Sequence, residues 1–170
     1  MMKQFKTLLI AAALFIGVNQ TVSAQAKVAH INVQELMSTM PDMKAANTQL
    51  EKIGQTYDAQ YKTMVQEYQT KLEKYEKEAA TVGDAVNQTR QTEVQDMGTR
   101  IQQYQQTAQK ELQQKQEDIL KPILEKARLA IQKVAKAKGY QYVLDASTGS
   151  GVLMAEGPDL LADVKKELGF

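Results

Sequence analysis

Few side chains in this sequence have the chemistry of a catalyst, and the spacing argues against each of them. The 170 residues include one histidine, His30, and no cysteine, so an imidazole or thiolate metal site lacks a second ligand of its kind. His30 lies in a run rich in β-branched residues and reads as a strand residue with a satisfied ring. Glu73, Glu76 and Glu78 resemble a carboxylate cluster of the sort used for acid–base work. Lys71, Lys74 and Lys77 interleave them, which makes a solvated helix face laced with ion pairs. The segment 147–151, Ser-Thr-Gly-Ser-Gly, is glycine-rich like a phosphate loop, but neither a lysine nor a helix start follows it. It reads as a turn between strands. The sequence presents no catalytic constellation, so a non-enzyme without a metal or cofactor is expected.

Tyrosine and methionine are more informative. Tyr57, Tyr61, Tyr68, Tyr75 and Tyr104 recur at helical spacing with Met43, Met64 and Met97. Tight two-helix seams favour leucine and isoleucine, whose rotamers are well defined. Tyrosine is amphipathic and methionine adaptable, and both suit surfaces that meet varied partners. Tyr57, Tyr61, Met64, Tyr68, Met97 and Tyr104 are therefore candidates for contact with a bound polypeptide, besides forming helix core. Gly54 and Gly98 each weaken a helix interior by about 0.5–1 kcal/mol relative to alanine, so these helices are expected to flex.

Those residues belong to two apolar rows that match in reverse order. Tyr75 pairs with Val94, Leu72 with Met97, Tyr68 with Ile101, Met64 with Tyr104, Tyr57 with Leu112 and Leu50 with Ile119. The paired numbers sum to about 169, and residues three and four apart share a helix face. The pattern predicts an antiparallel helical hairpin over 42–138, with its tip near 83–87. Ile53 would face Lys115, a poor rung. Met40-Pro41-Asp42 starts the first helix, of roughly 60 Å at 1.5 Å per residue. The apolar face of the second helix widens beyond Ile119, adding Leu120, Leu124, Leu129 and Ile131, so the stretch of about 119–138 is expected to pack into a separate body. Pro122 should kink it.

The remaining elements are short. Lys27–Asn32 predicts a strand, 34–39 a helical turn or two, and Gly139 a helix end. Tyr140–Asp145 and Val152–Glu156 read as two further strands joined in a hairpin, with a C-terminal helix after Gly157-Pro158-Asp159. Residues 25–41 and 139–170 then form the body. A three-stranded sheet is marginal alone, which predicts a homo-oligomer with arms on a shared β hub. Val28, Ile31, Val143 and Leu153 are the interface candidates. The fold class is α+β, predominantly α.

The first 24 residues have the layout of a cleaved secretory signal: a basic start, an apolar run of about a dozen residues and small residues ending at Ala24. Without Lys3 and Lys6 the 21 basic residues fall to 19, against 20 acidic ones. Such a balance does not point to nucleic acid.

The segment KVAHINVQELMSTMP, the long hairpin, LKPILEKARLAIQKVAKAKGYQYVLDAS and the closing DLLADVKKELG together resemble the Skp (OmpH-type) family of periplasmic chaperones over nearly the whole mature chain. The resemblance implies a homotrimer whose strands form a central β-barrel. It also implies three hairpin arms around a cavity that holds unfolded outer-membrane proteins without ATP. Family arms are often strongly basic, whereas Thr70–Arg100 holds five basic and six acidic residues here. No lipid or lipopolysaccharide site is therefore carried over. Client capture would lean on the seam tyrosines and methionines and on body-proximal cations such as Lys121 and Lys126. A coiled-coil adaptor or spacer of the cell envelope is the alternative; it would show a tight aliphatic seam and a dedicated partner module.

Overall fold

A computed structural model describes residues 26–170; the expected signal segment and its cleavage site lie outside them. The chain runs β1 (Val28–Ile31), α1 (Val33–Thr39), α2 (Pro41–Glu78), α3 (Asp84–Ala137), β2 (Tyr142–Asp145) and α4 (Leu161–Leu168). No helix among the described residues is long and apolar enough to cross a membrane.

Local chemistry explains each boundary. The Asn32 side chain caps α1 by accepting the Glu35 amide proton at 2.9 Å. Pro41 occupies the start of α2 and holds Met40 extended, since a residue before proline avoids the helical region. The hairpin turns through 79–83, a few residues ahead of the expected tip near 83–87, and α3 starts at Asp84. Gly139 ends α3 with φ 74°, a left-handed conformation that glycine adopts without a Cβ penalty. At 1.5 Å per residue α2 spans about 57 Å and α3 about 81 Å, so α3 overshoots its partner. Pro122 lies within α3, which continues through it.

β1 and β2 pair in parallel, with Val28 opposite Tyr142 and Ile31 opposite Asp145. The whole α2–α3 hairpin is thus the crossover between two adjacent strands, which ties both ends of the arm to the same sheet. The expected hairpin of β2 with Val152–Glu156 does not form; that segment has no regular structure. The far edge of β1 is taken by a later segment instead. His30 donates its amide to the Pro158 carbonyl and accepts from the Leu160 amide, both at 3.0 Å. β1 thus lies between β2 and Pro158–Leu160, and the outer edge of β2 carries no strand among the described residues.

The core lies where the arm meets this sheet. Ile31, Leu36, Met40, Leu160 and Val164 are its largest fully buried side chains, each worth about 1.5–3 kcal/mol when removed from water. Ala127, Ala130, Val134 and Ala135 of α3 join them; small residues let the helix approach closely. A polar clasp holds the strand ends to α1. The Asp145 carboxylate accepts from the Val33 amide at 3.3 Å, the Ser147 amide at 2.9 Å and the Ser147 hydroxyl. Burial pushes Asp145 up, but these hydrogen bonds outweigh it and hold the carboxyl below its ordinary range.

Candidate functional site

The arm seam is assembled by the two apolar rows. Tyr57, Tyr61, Met64, Tyr68, Leu72 and Tyr75 are half-buried on α2, and Val94, Ile101, Tyr104, Ala108 and Leu112 match them on α3, with Met97 buried. Four polar contacts across the hairpin give its register: Asp42–Lys126, Tyr57–Glu111, Tyr75–Glu93 and Glu78–Arg90. The numbers of each pair sum to 168, one from the value that the apolar rows give. Tyr104 departs locally. Its ring meets Tyr57, on the body side of the expected partner Met64, edge-on at 6.5 Å. Its hydroxyl donates toward Gln60 at 3.3 Å.

Three seam tyrosines, Tyr57, Tyr75 and Tyr104, reach polar groups of the opposite helix with their hydroxyls. The Tyr57 hydroxyl donates to the Glu111 carboxylate at 2.8 Å, and that bond raises its pKa. Near the tip, Glu93 accepts from both Lys71 and Tyr75. The Lys71 ammonium, followed by the Tyr75 hydroxyl, holds Glu93 below the usual carboxylate range. Arg90 pairs with Glu78 at 2.5 Å and stacks over the Tyr75 ring, 4.5 Å from its centroid. The apolar periodicity did not single out Arg90 or Glu93. Extending the pairing rule from apolar to charged positions would have placed Arg90 opposite Glu78.

The other candidates fall in three environments. Lys121 is exposed, whereas Lys126 is tied to Asp42 at 2.6 Å and closes the base of the hairpin. Ile31 is 1% exposed and is spent on the chain's own core, and Val143 packs against that core. Val28 and Leu153 face outward, Leu153 completely. The widened face of α3 divides. Ile131 packs on the core, but Leu124 and Leu129 are 51% and 52% exposed, contrary to the expectation that the body covers them. Ahead of them, Leu120, Pro122 and Leu124 line an open groove of about 980 Å³ with Gln113 and Gln116.

The chain is thus a long two-helix arm on a small sheet, with apolar surface left open near the base of the arm. The family model for OmpH-like outer membrane proteins matches residues 27–168, and the chain belongs to that family. It is 25% identical to the chaperone protein Skp of Pectobacterium atrosepticum, over 91% of this chain and 93% of the relative. It is 27% identical to Skp of Photorhabdus luminescens, over 96% and 99%. The OmpH-like protein of Caulobacter crescentus CB15 has the same fold, with a TM-score of 0.76 over 85% of each chain at 18% identity.

Proposed function

We propose that this protein is an ATP-independent periplasmic holdase, exported with cleavage after Ala24, which binds unfolded outer-membrane β-barrel proteins between helical arms and keeps them from aggregating. The observation that carries the proposal is the seam itself. Its tyrosines, with Met43 and Met64, are half-buried along an arm tethered at both ends to one sheet, while Met97 is buried, so apolar surface is offered without being free to collapse. Near-complete coverage of relatives named as Skp chaperones supports it. The active form is a homotrimer. In it Val152–Glu156, which has no strand partner among the described residues, pairs with a neighbouring copy, and Val28 and Leu153 contribute to the contact. Client contacts fall to Tyr57, Tyr61, Met64, Tyr68 and Tyr104, with Lys121 and Lys126 near the body; Met97, the remaining candidate, is 8% exposed and belongs to the core of the seam.

The test is dilution of a urea-unfolded outer-membrane β-barrel protein into buffer, followed by light scattering. The protein should suppress scattering without nucleotide, at about one trimer per client. Undiminished scattering at every ratio would remove the holdase function and favour an envelope spacer.

A further inference from the structure

The sheet of the body has two unlike faces. Ala29 and Ile31 of β1 are buried in the core, and side chains alternate along a strand, so Val28 and His30 point to the opposite face. Their register partners on β2, Tyr142 and Leu144, share that face. Val28, Tyr142 and Leu144 are 42%, 60% and 45% exposed, and His30, on the middle strand, is half-buried. Parallel strands occur almost always with both faces covered. Here residues of α1, α3 and α4 cover one face, and the other stays open.

Two further features of the same body are unfinished. The outer edge of β2 carries no strand among the described residues, and Val152–Glu156, with Leu153 and Met154 exposed, joins no sheet. An open edge and a free apolar segment in one chain complete each other between copies, the segment of one lying on the β2 edge of the next. Head-to-tail contacts of this kind close into a ring. Helices fill one face of every sheet, so the ring curves with the open face inward. Val28, His30, Tyr142 and Leu144 of each copy then face their counterparts around the axis. One imidazole per copy enters an otherwise apolar and phenolic interior.

We propose that the open sheet face is the surface on which copies of this chain meet, and that His30 at its centre makes the assembly come apart in mild acid. The inference rests on the homotrimer proposed above and adds its regulation. Histidine is the side chain whose charge ordinarily changes between pH 5 and 8. Taking a charge out of water costs far more than taking a neutral ring, and symmetry brings like charges together. Protonation and assembly therefore oppose each other: the trimer is favoured above the histidine range and lost as pH falls through it. Arms on separate copies then no longer surround a common space.

The surroundings of His30 offer its cation little compensation. Its backbone bonds Pro158 and Leu160, but its ring has neither a hydrogen bond nor an ion pair with a described residue. Asp159, opposite His30 on the far side of β1, has its carboxylate engaged by the Leu161 amide at 2.9 Å. Asp145, at the end of β2, is held by the Val33 and Ser147 amides. Lys27 ahead of β1 and Glu156 ahead of Gly157 are exposed, and Tyr142 brings a phenol.

The test is sedimentation of the mature protein over a dilution series at about pH 8 and about pH 5.5, a range in which ordinary carboxylates stay ionised, with circular dichroism at each pH. Wild type should be trimeric at the higher pH and dissociate at the lower. Below about pH 6 its association constant should fall about tenfold per pH unit for each imidazole that must lose its proton, up to about a thousandfold for three. His30→Gln, neutral throughout, should stay trimeric at both pH values. His30→Lys, charged throughout, should be largely monomeric at both with its helices intact. A wild-type trimer equally stable at the two pH values, or a His30→Gln protein that dissociates in acid as wild type does, would overturn the role of His30 and leave the trimer standing. A trimeric His30→Lys protein would overturn the surface. Should that variant lose helix, the comparison of wild type with His30→Gln decides alone. If wild type is monomeric at the higher pH, the homotrimer fails and this inference with it.

Discussion

The Tyr75 hydroxyl donates to the Glu93 carboxylate at 2.5 Å, which joins the two helices of the arm near its tip. Lys71 completes the junction from the same helix as Tyr75. Glu93 is held below the usual carboxylate range by these partners. A carboxyl whose folded pKa is depressed stabilises the fold above its unfolded value, and that contribution is lost as pH falls through the depressed folded value. The distal arm should therefore be unaffected by titration from pH 8 to 6 and loosen below about pH 4. Amide exchange in residues 71–93 would report it, and Glu93→Gln should flatten the acid dependence. An unchanged acid response in that variant would assign it to other carboxylates.

The register of the hairpin gives a covalent test. Cysteines at positions 50 and 119 should form an intramolecular disulfide under mild oxidation, because bridging needs Cα atoms within about 7 Å. Cysteines at 50 and 112, two turns away, should not. The reverse result would mean that the two rows slide past each other.

Flexibility of the arm is tied to two glycines. A Cβ at Gly54 would meet nothing within 4 Å, and one at Gly98 would touch the Tyr68 ring at 3.9 Å, an ordinary contact. Gly54→Ala with Gly98→Ala should therefore fit and stabilise the arm by about 1–2 kcal/mol in all, seen as a higher Tm. If flexing serves client capture, affinity for an unfolded client should fall in the same variant. A higher Tm with full affinity would separate capture from flexing.

Much of this architecture was legible in the sequence, for physical reasons that differ by element. The hairpin is written in local periodicity. Leu50, Tyr57, Tyr68 and their counterparts on α3 repeat every three to four residues, and antiparallel packing then fixes one register. The sheet is not local. Val28 and Tyr142 are paired across the whole arm, and nothing in either segment names a parallel partner so distant. Val152–Glu156 was read as a strand from its apolar residues, yet it pairs with neither strand of its own chain, and the segment that does join β1 is the less apolar Pro158–Leu160. The same limit applies to Leu124 and Leu129. An apolar face signals burial, but not whether the covering surface belongs to the same chain. The polar junctions at Glu93 and Arg90 were missed because the pairing rule was applied to apolar positions alone.

Assembly through the body predicts a specific loss. Leu153 is fully exposed in the single chain, so Leu153→Asp should leave the hairpin and its circular dichroism intact. Burying that carboxylate between copies would be costly, so the variant should be largely monomeric by sedimentation. Removal of residues 54–114, which shortens the arm, should leave the oligomer in place. A trimeric Leu153→Asp protein would place the interface elsewhere.

Native mass spectrometry of the mature protein, with and without an unfolded outer-membrane β-barrel protein, tests client holding most directly because it reads copy number and occupancy together. The expected spectrum is a trimer that shifts by the mass of one client when the client is added, with no nucleotide present. A monomer that gains no client mass, in a sample where the client still aggregates, would contradict it.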